Sequence, residues 1–156
     1  MTTQRKSSWL YGPYSQLGYT IMVLTLAFDQ AHNLVLTALP LQSVMKISPE
    51  GKILWEAGTD PQGGADKVDF SNPRDLALDS AGNIWVVDSG KDKLYCLSPE
   101  GKLLLTFGES SGLDDLSGQG FGDPTGVAVT TVNGVDYLYV GDAGNQRLIK
   151  YRLDTG

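Results

Sequence analysis

Two aspartates, Asp88 and Asp142, stand at matching points in the segments VVDSGKDKL and YVGDAGNQRL. Each marks the place where an extended run gives way to a Gly-containing turn. A carboxylate there can accept the N–H groups of the turn that follows. A group that recurs with a repeat serves every repeat, whereas catalysis needs its groups once, so a structural role is the first reading of both. Lys91, Asn145 and Arg147 lie in the same segments. An exposed guanidinium can take an anion or a partner's carboxylate. Asp88, Lys91, Asp142, Asn145 and Arg147 are therefore the candidate binding residues of one loop face, and no catalytic set is assigned.

The remaining reactive residues are few. His32 is the one histidine and Cys96 the one cysteine. Counting alone excludes a zinc site built on several histidines and any disulfide within the chain. Cys96 occupies the position of Lys46 and Lys150 in the repeat described below, which predicts an exposed or edge-facing thiol with no base to activate it. His32 falls where another copy has Gly82, and so in a turn. The glycines of residues 118–122 lack the strand before and the helix after that a nucleotide-cradling loop requires. Two loops are acidic: residues 59–69 hold Asp60, Asp66 and Asp69, and residues 109–122 hold Glu109, Asp114 and Asp115. Such oxygens would suit Ca²⁺, but EF-hand spacing is missing and solvated acidic loops are commoner, so no metal ligand and no cofactor is assigned.

These residues are positioned by a repeat. SPEGK occurs at residues 48–52 and again at 98–102, and the same offset aligns residues 26–58 with 76–108 at 12 identities in 33 positions. A third copy aligns residues 124–152 with 73–98, with three extra residues placed in the turn at 130–136. The second copy reads as strands at 75–78, 84–88, 94–97 and 103–107, separated by DSAGN, SGKD and SPEG turns. Pro and Gly supply the turn dihedrals, and β-branched and aromatic residues fill the strands. Four short strands in about 50 residues is the pattern of a β-propeller blade.

The string FSNPRDLALDSAGNIWVVDSGKDKLYCLSPEGKLLLTFG resembles an NHL repeat. FGDPTGVAV…LYVGDAGNQRLIKY resembles another, and its DAGNQR is close to the family's Asp-x-x-Asn-x-Arg segment. The first copy is similar but degenerate: Ala38 replaces the aspartate and Leu39-Pro40-Leu41 the polar turn. The resemblance implies an all-β, NHL-type propeller of about three four-stranded blades, the last incomplete, within a six-bladed ring. The expected organisation is an extension at 1–19 and blades at 20–58, 59–108 and 109–156. A partial ring reads first as a piece of a longer product. A half-propeller that completes itself as a homo-oligomer comes second, and an open arc with two unprotected ends third.

Composition narrows the partners. The net charge is −6, and residues 59–156 carry 8 basic against 15 acidic side chains, or −7. Nucleic acid, which some NHL-repeat proteins bind, is thereby disfavoured. No apolar run reaches the length that spans a bilayer. The run at residues 21–28, preceded by Arg5 and Lys6, reads as a strand rather than a signal-peptide core, and the compartment stays open. Trp9, Tyr11 and Tyr14 are expected to pack over an open blade edge, or to belong to a segment that contributes a strand to an adjacent blade. The function expected is a non-catalytic binding or scaffold module for a protein or small-molecule ligand. The alternative is a fragment of a propeller enzyme, a metal-dependent lactonase-like hydrolase or a lyase. The histidine-dependent amidating lyase implied by the same resemblance would need more histidines than His32. A sensor or extracellular domain of a larger protein fits equally.

Overall fold

A computed structural model describes residues 22–58, 68–108 and 120–154. The expectations for residues 1–21 and for most of the two acidic loops lie outside the described residues. The described chain is all strand and turn, and it contains no helix long and apolar enough to cross a membrane.

Among the described residues, eleven strands form three antiparallel meanders. The first contains β1 (Met22–Phe28), β2 (Leu34–Leu39), β3 (Ser43–Ile47) and β4 (Ile53–Ala57). The second contains β5 (Pro73–Leu78), β6 (Ile84–Asp88), β7 (Lys93–Leu97) and β8 (Leu103–Phe107). The third contains β9 (Pro124–Val132), β10 (Val135–Asp142) and β11 (Arg147–Leu153), in the order β11-β10-β9. The first strands β1, β5 and β9 lie side by side, and the sheets fan out from them. This is the blade arrangement of a β-propeller.

The turn chemistry explains the meander. In DQAHN and DSAGN the Asp29 and Asp79 carboxylates accept the N–H groups two and four residues on, at 2.8–3.0 Å, and the Asn33 and Asn83 amides donate back to them. The fourth residue of each turn has positive φ, 63° at His32 and 81° at Gly82. Glycine adopts that value freely and His32 does so at some cost. In each SPEGK turn the serine hydroxyl donates to the glutamate and accepts the lysine N–H, tying the hairpin ends together.

Apolar alternation places a core between successive blades. Val35, Val44 and Trp55 of blade 1 meet Phe70, Leu76, Ile84, Val86, Tyr95 and Leu97 of blade 2. Trp85, Val87, Leu94 and Cys96 of blade 2 meet Phe121, Val127, Leu138 and Val140 of blade 3. Phe70 and Phe121 precede their blades at equivalent points. Each lies where a Cβ on the preceding strand-end glycine, Gly58 or Gly108, would overlap its ring, and both glycines have positive φ. Two constraints thus explain one repeated glycine.

Two expectations are corrected. Cys96 is 2% exposed. Its side chain faces blade 3 rather than an edge, and burial, followed by the Asp79 charge, pushes its thiol up to about 12. The analogy with lysine failed because Lys46 is itself buried: its stem packs between blades and its ammonium finds internal acceptors. The extra residues of the third copy do not make a longer turn. They lengthen β9 and β10, which are joined by Asn133-Gly134 with φ of 52° and 77°. An Asn-Gly pair favours this two-residue turn because its twist matches that of the strands.

Candidate functional site

The candidate residues gather where β6 and β10 end. Asp88 is fully buried. Its carboxylate accepts N–H groups from Gly90 at 2.9 Å, in the turn that follows, and from Ser71 and Asn72 at 2.7 and 2.8 Å, in the segment leading into β5. The second set was invisible in sequence because it lies 16 and 17 residues upstream. Asn72 also donates to Ser89. One carboxylate thus closes both ends of the blade's first hairpin.

Asp142 does the same in blade 3 with a different donor set. It accepts from the Gly122 N–H at 2.7 Å, the Asn145 amide at 2.9 Å and Arg147 Nε at 2.7 Å. The guanidinium also donates to the Gly120 carbonyl. Asp142, Asn145 and Arg147 are therefore brought together, as one internally satisfied network. A buried carboxylate needs such donors, since desolvation of its charge is otherwise expensive.

Lys91 differs. Its ammonium lies at the surface, 2.8 Å from the exposed Asp69 carboxylate, and the hydrogen bond it donates to Asp69 raises its pKa. Arg74 and Asp123 form a looser exposed pair at 3.8 Å. Asp92 accepts the Asp123 N–H at 2.7 Å, which joins the turn of blade 2 to the segment before β9. The result is one continuous rim across two blades. Its inner carboxylates are spent on backbone, amide and guanidinium donors, while its outer charges sit in exposed ion pairs worth little in water. Such pairs can exchange partners for a ligand at small cost.

Three links between blades escaped the sequence reading. Asp75 accepts the Val127 N–H at 2.9 Å. Asp136 accepts from the Ser80 amide and hydroxyl, and hydrogen bonds from Ser80 and Thr131 hold its carboxyl below the usual range. Lys46 reaches both Asp29, at 2.8 Å, and the Pro99 carbonyl, at 3.0 Å. The 50-residue offset hides the last, because position 96 is cysteine. Among the described residues no three His, Cys, Asp or Glu side chains cluster as a metal site; Asp60, Asp66, Glu109, Asp114 and Asp115 lie outside that set.

Fold and rim together define the class: a section of a β-propeller with carboxylate-locked blade corners. No model of a known protein family matches the chain. It is 33% identical over 135 residues to rat peptidylglycine alpha-amidating monooxygenase, which covers 83% of this chain but 14% of the rat protein. It is 25% identical over 166 residues to mouse NHL repeat-containing protein 3, covering 92% of this chain and 45% of that one. The chain thus spans a minor part of the curated relatives it matches. Among solved structures, a protein of unknown function from Bacteroides thetaiotaomicron superposes with a TM-score of 0.62 at 22% identity, over 81% of this chain and 34% of that one. Virginiamycin B lyase from Staphylococcus aureus gives 0.52 at 14%, over 86% and 42%. The chain is thus a section of a β-propeller, similar in sequence to an NHL repeat-containing protein.

Proposed function

We propose that the chain is a section of a six-bladed NHL-type propeller that works as a binding module, with the rim around Asp88, Lys91, Asp142, Asn145 and Arg147 as its ligand face. The observation that carries this reading is the division of labour at the rim. Asp88 and Asp142 hold the loops in place through backbone and guanidinium donors, and the exposed Lys91–Asp69 and Arg74–Asp123 pairs offer charge of both signs to a partner. A rigid scaffold with exchangeable outer charges suits a polar protein or peptide surface. The acidic balance favours a partner other than nucleic acid. Ring closure rests on the repeat and on relatives longer than this chain.

The test is an affinity measurement on a partner recovered by crosslinking through a photoreactive group beside Lys91. Lys91→Glu is expected to weaken that complex about tenfold, or about 1.4 kcal/mol, with an unchanged melting temperature. Undiminished affinity would move the ligand face elsewhere. The competing reading is a propeller enzyme, favoured by the likeness to an amidating monooxygenase in sequence and to a lyase in fold. Metal-dependent turnover by this protein, abolished by chelation, would decide for it.

A further inference from the structure

The two joints between blades are filled differently. Between blades 1 and 2, Lys46 and Trp55 occupy the space beside the first turn. The Lys46 ammonium bridges the Asp29 carboxylate, at 2.8 Å, and the Pro99 carbonyl, at 3.0 Å. Trp55 Nε1 donates to the same carbonyl at 3.0 Å. Between blades 2 and 3 the equivalent residues are Cys96 and Leu105, both shorter. Trp85, standing where blade 1 has Val35, makes up only part of the lost volume. A groove of about 380 Å³ remains, with Asp79, Cys96, Leu105 and Asp136 in its walls. It adjoins an apolar cavity of about 140 Å³ between Trp85, Leu94, Phe107, Leu138 and Tyr151, and Trp85 and Phe107 line both.

The walls select an occupant. An apolar cavity of about 150 Å³ holds a benzene ring, and this one is of that size. Aromatic faces bound it: Trp85 and Phe107 lie 6.1 Å apart at 28°, and Phe107 and Tyr151 lie 6.3 Å apart at 29°. The groove beside it is acidic. Asp79 accepts from the N–H groups of Ala81 and Asn83, the Asn83 amide and the Trp85 indole, all neutral. Asp136 accepts from Ser80 and Thr131, also neutral. Asp29 thus has a cation, and among the described residues its counterpart Asp79 and the neighbouring Asp136 have none in an ion pair. Arg152 in the same groove is paired with Asp154 at 2.8 Å, and both are exposed. Three carboxylates against one guanidinium leave the groove negative. Apolar walls strengthen that field, and aromatic faces add to the attraction for a cation.

We infer that this groove and cavity form a binding site for an arylalkylamine, a small molecule with one aromatic ring and a protonated amine on a short chain. The ring enters the cavity against Phe107. The ammonium stands near Asp79 and Asp136, as the Lys46 ammonium stands beside Asp29. The site lies before β6, at the opposite end of that strand from the rim at Asp88, so this inference and the reading of the rim can fail separately.

Isothermal titration of the 156-residue chain with 2-phenylethylamine at neutral pH is expected to show one site with a Kd below about 1 mM. 2-Phenylethanol keeps the ring without the charge, and butylamine keeps the charge without the ring. Each is expected to bind at least about tenfold more weakly, and phenylacetate more weakly still. Leu105→Trp installs the blade 1 filling. It is expected to weaken the amine at least about tenfold while the melting temperature stays within about 2 °C. Asp136→Asn removes one charge and is expected to weaken the amine about threefold with no effect on 2-phenylethanol. Saturable binding that is missing up to about 10 mM amine overturns the inference. So does equal affinity for the amine and phenylacetate, which needs no variant to fold, and so does an affinity that Leu105→Trp leaves intact.

Discussion

Blades 1 and 2 solve one problem with different residues. The aspartate of the first turn, Asp29 or Asp79, has one oxygen facing the sheet, and a cross-strand pair on β2–β3 or β6–β7 must satisfy it. In blade 1 the pair is Val35 and Lys46, and the ammonium reaches Asp29 at 2.8 Å. In blade 2 it is Trp85 and Cys96, and the indole Nε1 reaches Asp79 at 3.0 Å. A small residue and a long donor have exchanged strands. In blade 3 the same pair is Tyr139 and Lys150, no turn aspartate remains, and Lys150 lies 4.4 Å from the centre of the Tyr137 ring. In blades 1 and 2 the equivalent pair keeps one donor for the turn aspartate and changes the residue that supplies it.

The blade corners make a second contrast. Asp88 and Asp142 bind three donors each, whereas blade 1 has Ala38 there, and the Thr37 and Ser43 hydroxyls beside it are buried without a partner. The largest expected effect comes from imposing the blade 1 solution on blade 2. Asp88→Ala strands the N–H groups of Ser71, Asn72 and Gly90, and should cost about 3 kcal/mol in urea unfolding. A loss under about 1 kcal/mol would mean that blade 2 relaxes as blade 1 already has.

Lys46→Met should cost about 2 kcal/mol by leaving Asp29 without its cation in a largely desolvated place. The double variant Val35→Trp/Lys46→Cys, which transplants the blade 2 pair, should recover more than half of that loss. If it is no better than the single variant, the two solutions depend on their surroundings and the exchange is not modular.

The same pair sets an acid dependence. Burial works to raise the Asp29 carboxyl, but hydrogen bonds from Lys46 and Asn33 outweigh it and hold the group at about 2, against an ordinary 3.8. A depressed carboxyl contributes stability that is complete above its unfolded value. That contribution is lost as pH falls from about 4 towards 2. Lys46→Met should raise the folded value towards the unfolded one and so shrink this acid-dependent loss, read by unfolding at a series of pH values. A loss of undiminished size would assign the low value to Asn33 and the backbone.

The smallest effect is expected at the joint between blades 2 and 3. Asp136→Asn keeps the shape, weakens the bonds from Ser80 and should cost about 1 kcal/mol. Asp88→Ala and Asp136→Asn act in separate networks, so their costs should add to within about 0.5 kcal/mol.

Much of the fold was legible because turns are local. DSAGN and SPEGK close their own hydrogen bonds within four residues, and alternation fills the strands between them. The run at 21–28 read correctly as a strand over its described part, and the role of Asp88 towards Gly90 was readable from the turn that follows it. Its bonds to Ser71 and Asn72 were not, since nothing local marks which distant N–H will lack an acceptor. Cys96 was misplaced because equivalence in a repeat specifies direction and not exposure. Lys46 points the same way and stays buried because its charge is met. The Asn133-Gly134 pair was a readable signal that the insertion obscured.

The sequence by itself determined the repeat, the number of strands per blade and the direction each side chain faces, because all of these follow from periods and turns spanning a few residues. The tertiary structure alone decided which polar groups meet across blades: Asp75 with Val127, Asp136 with Ser80, Lys46 with Pro99. Those contacts join residues some 50 positions apart. Their geometry comes from the angle at which twisted sheets stack, which no local pattern encodes.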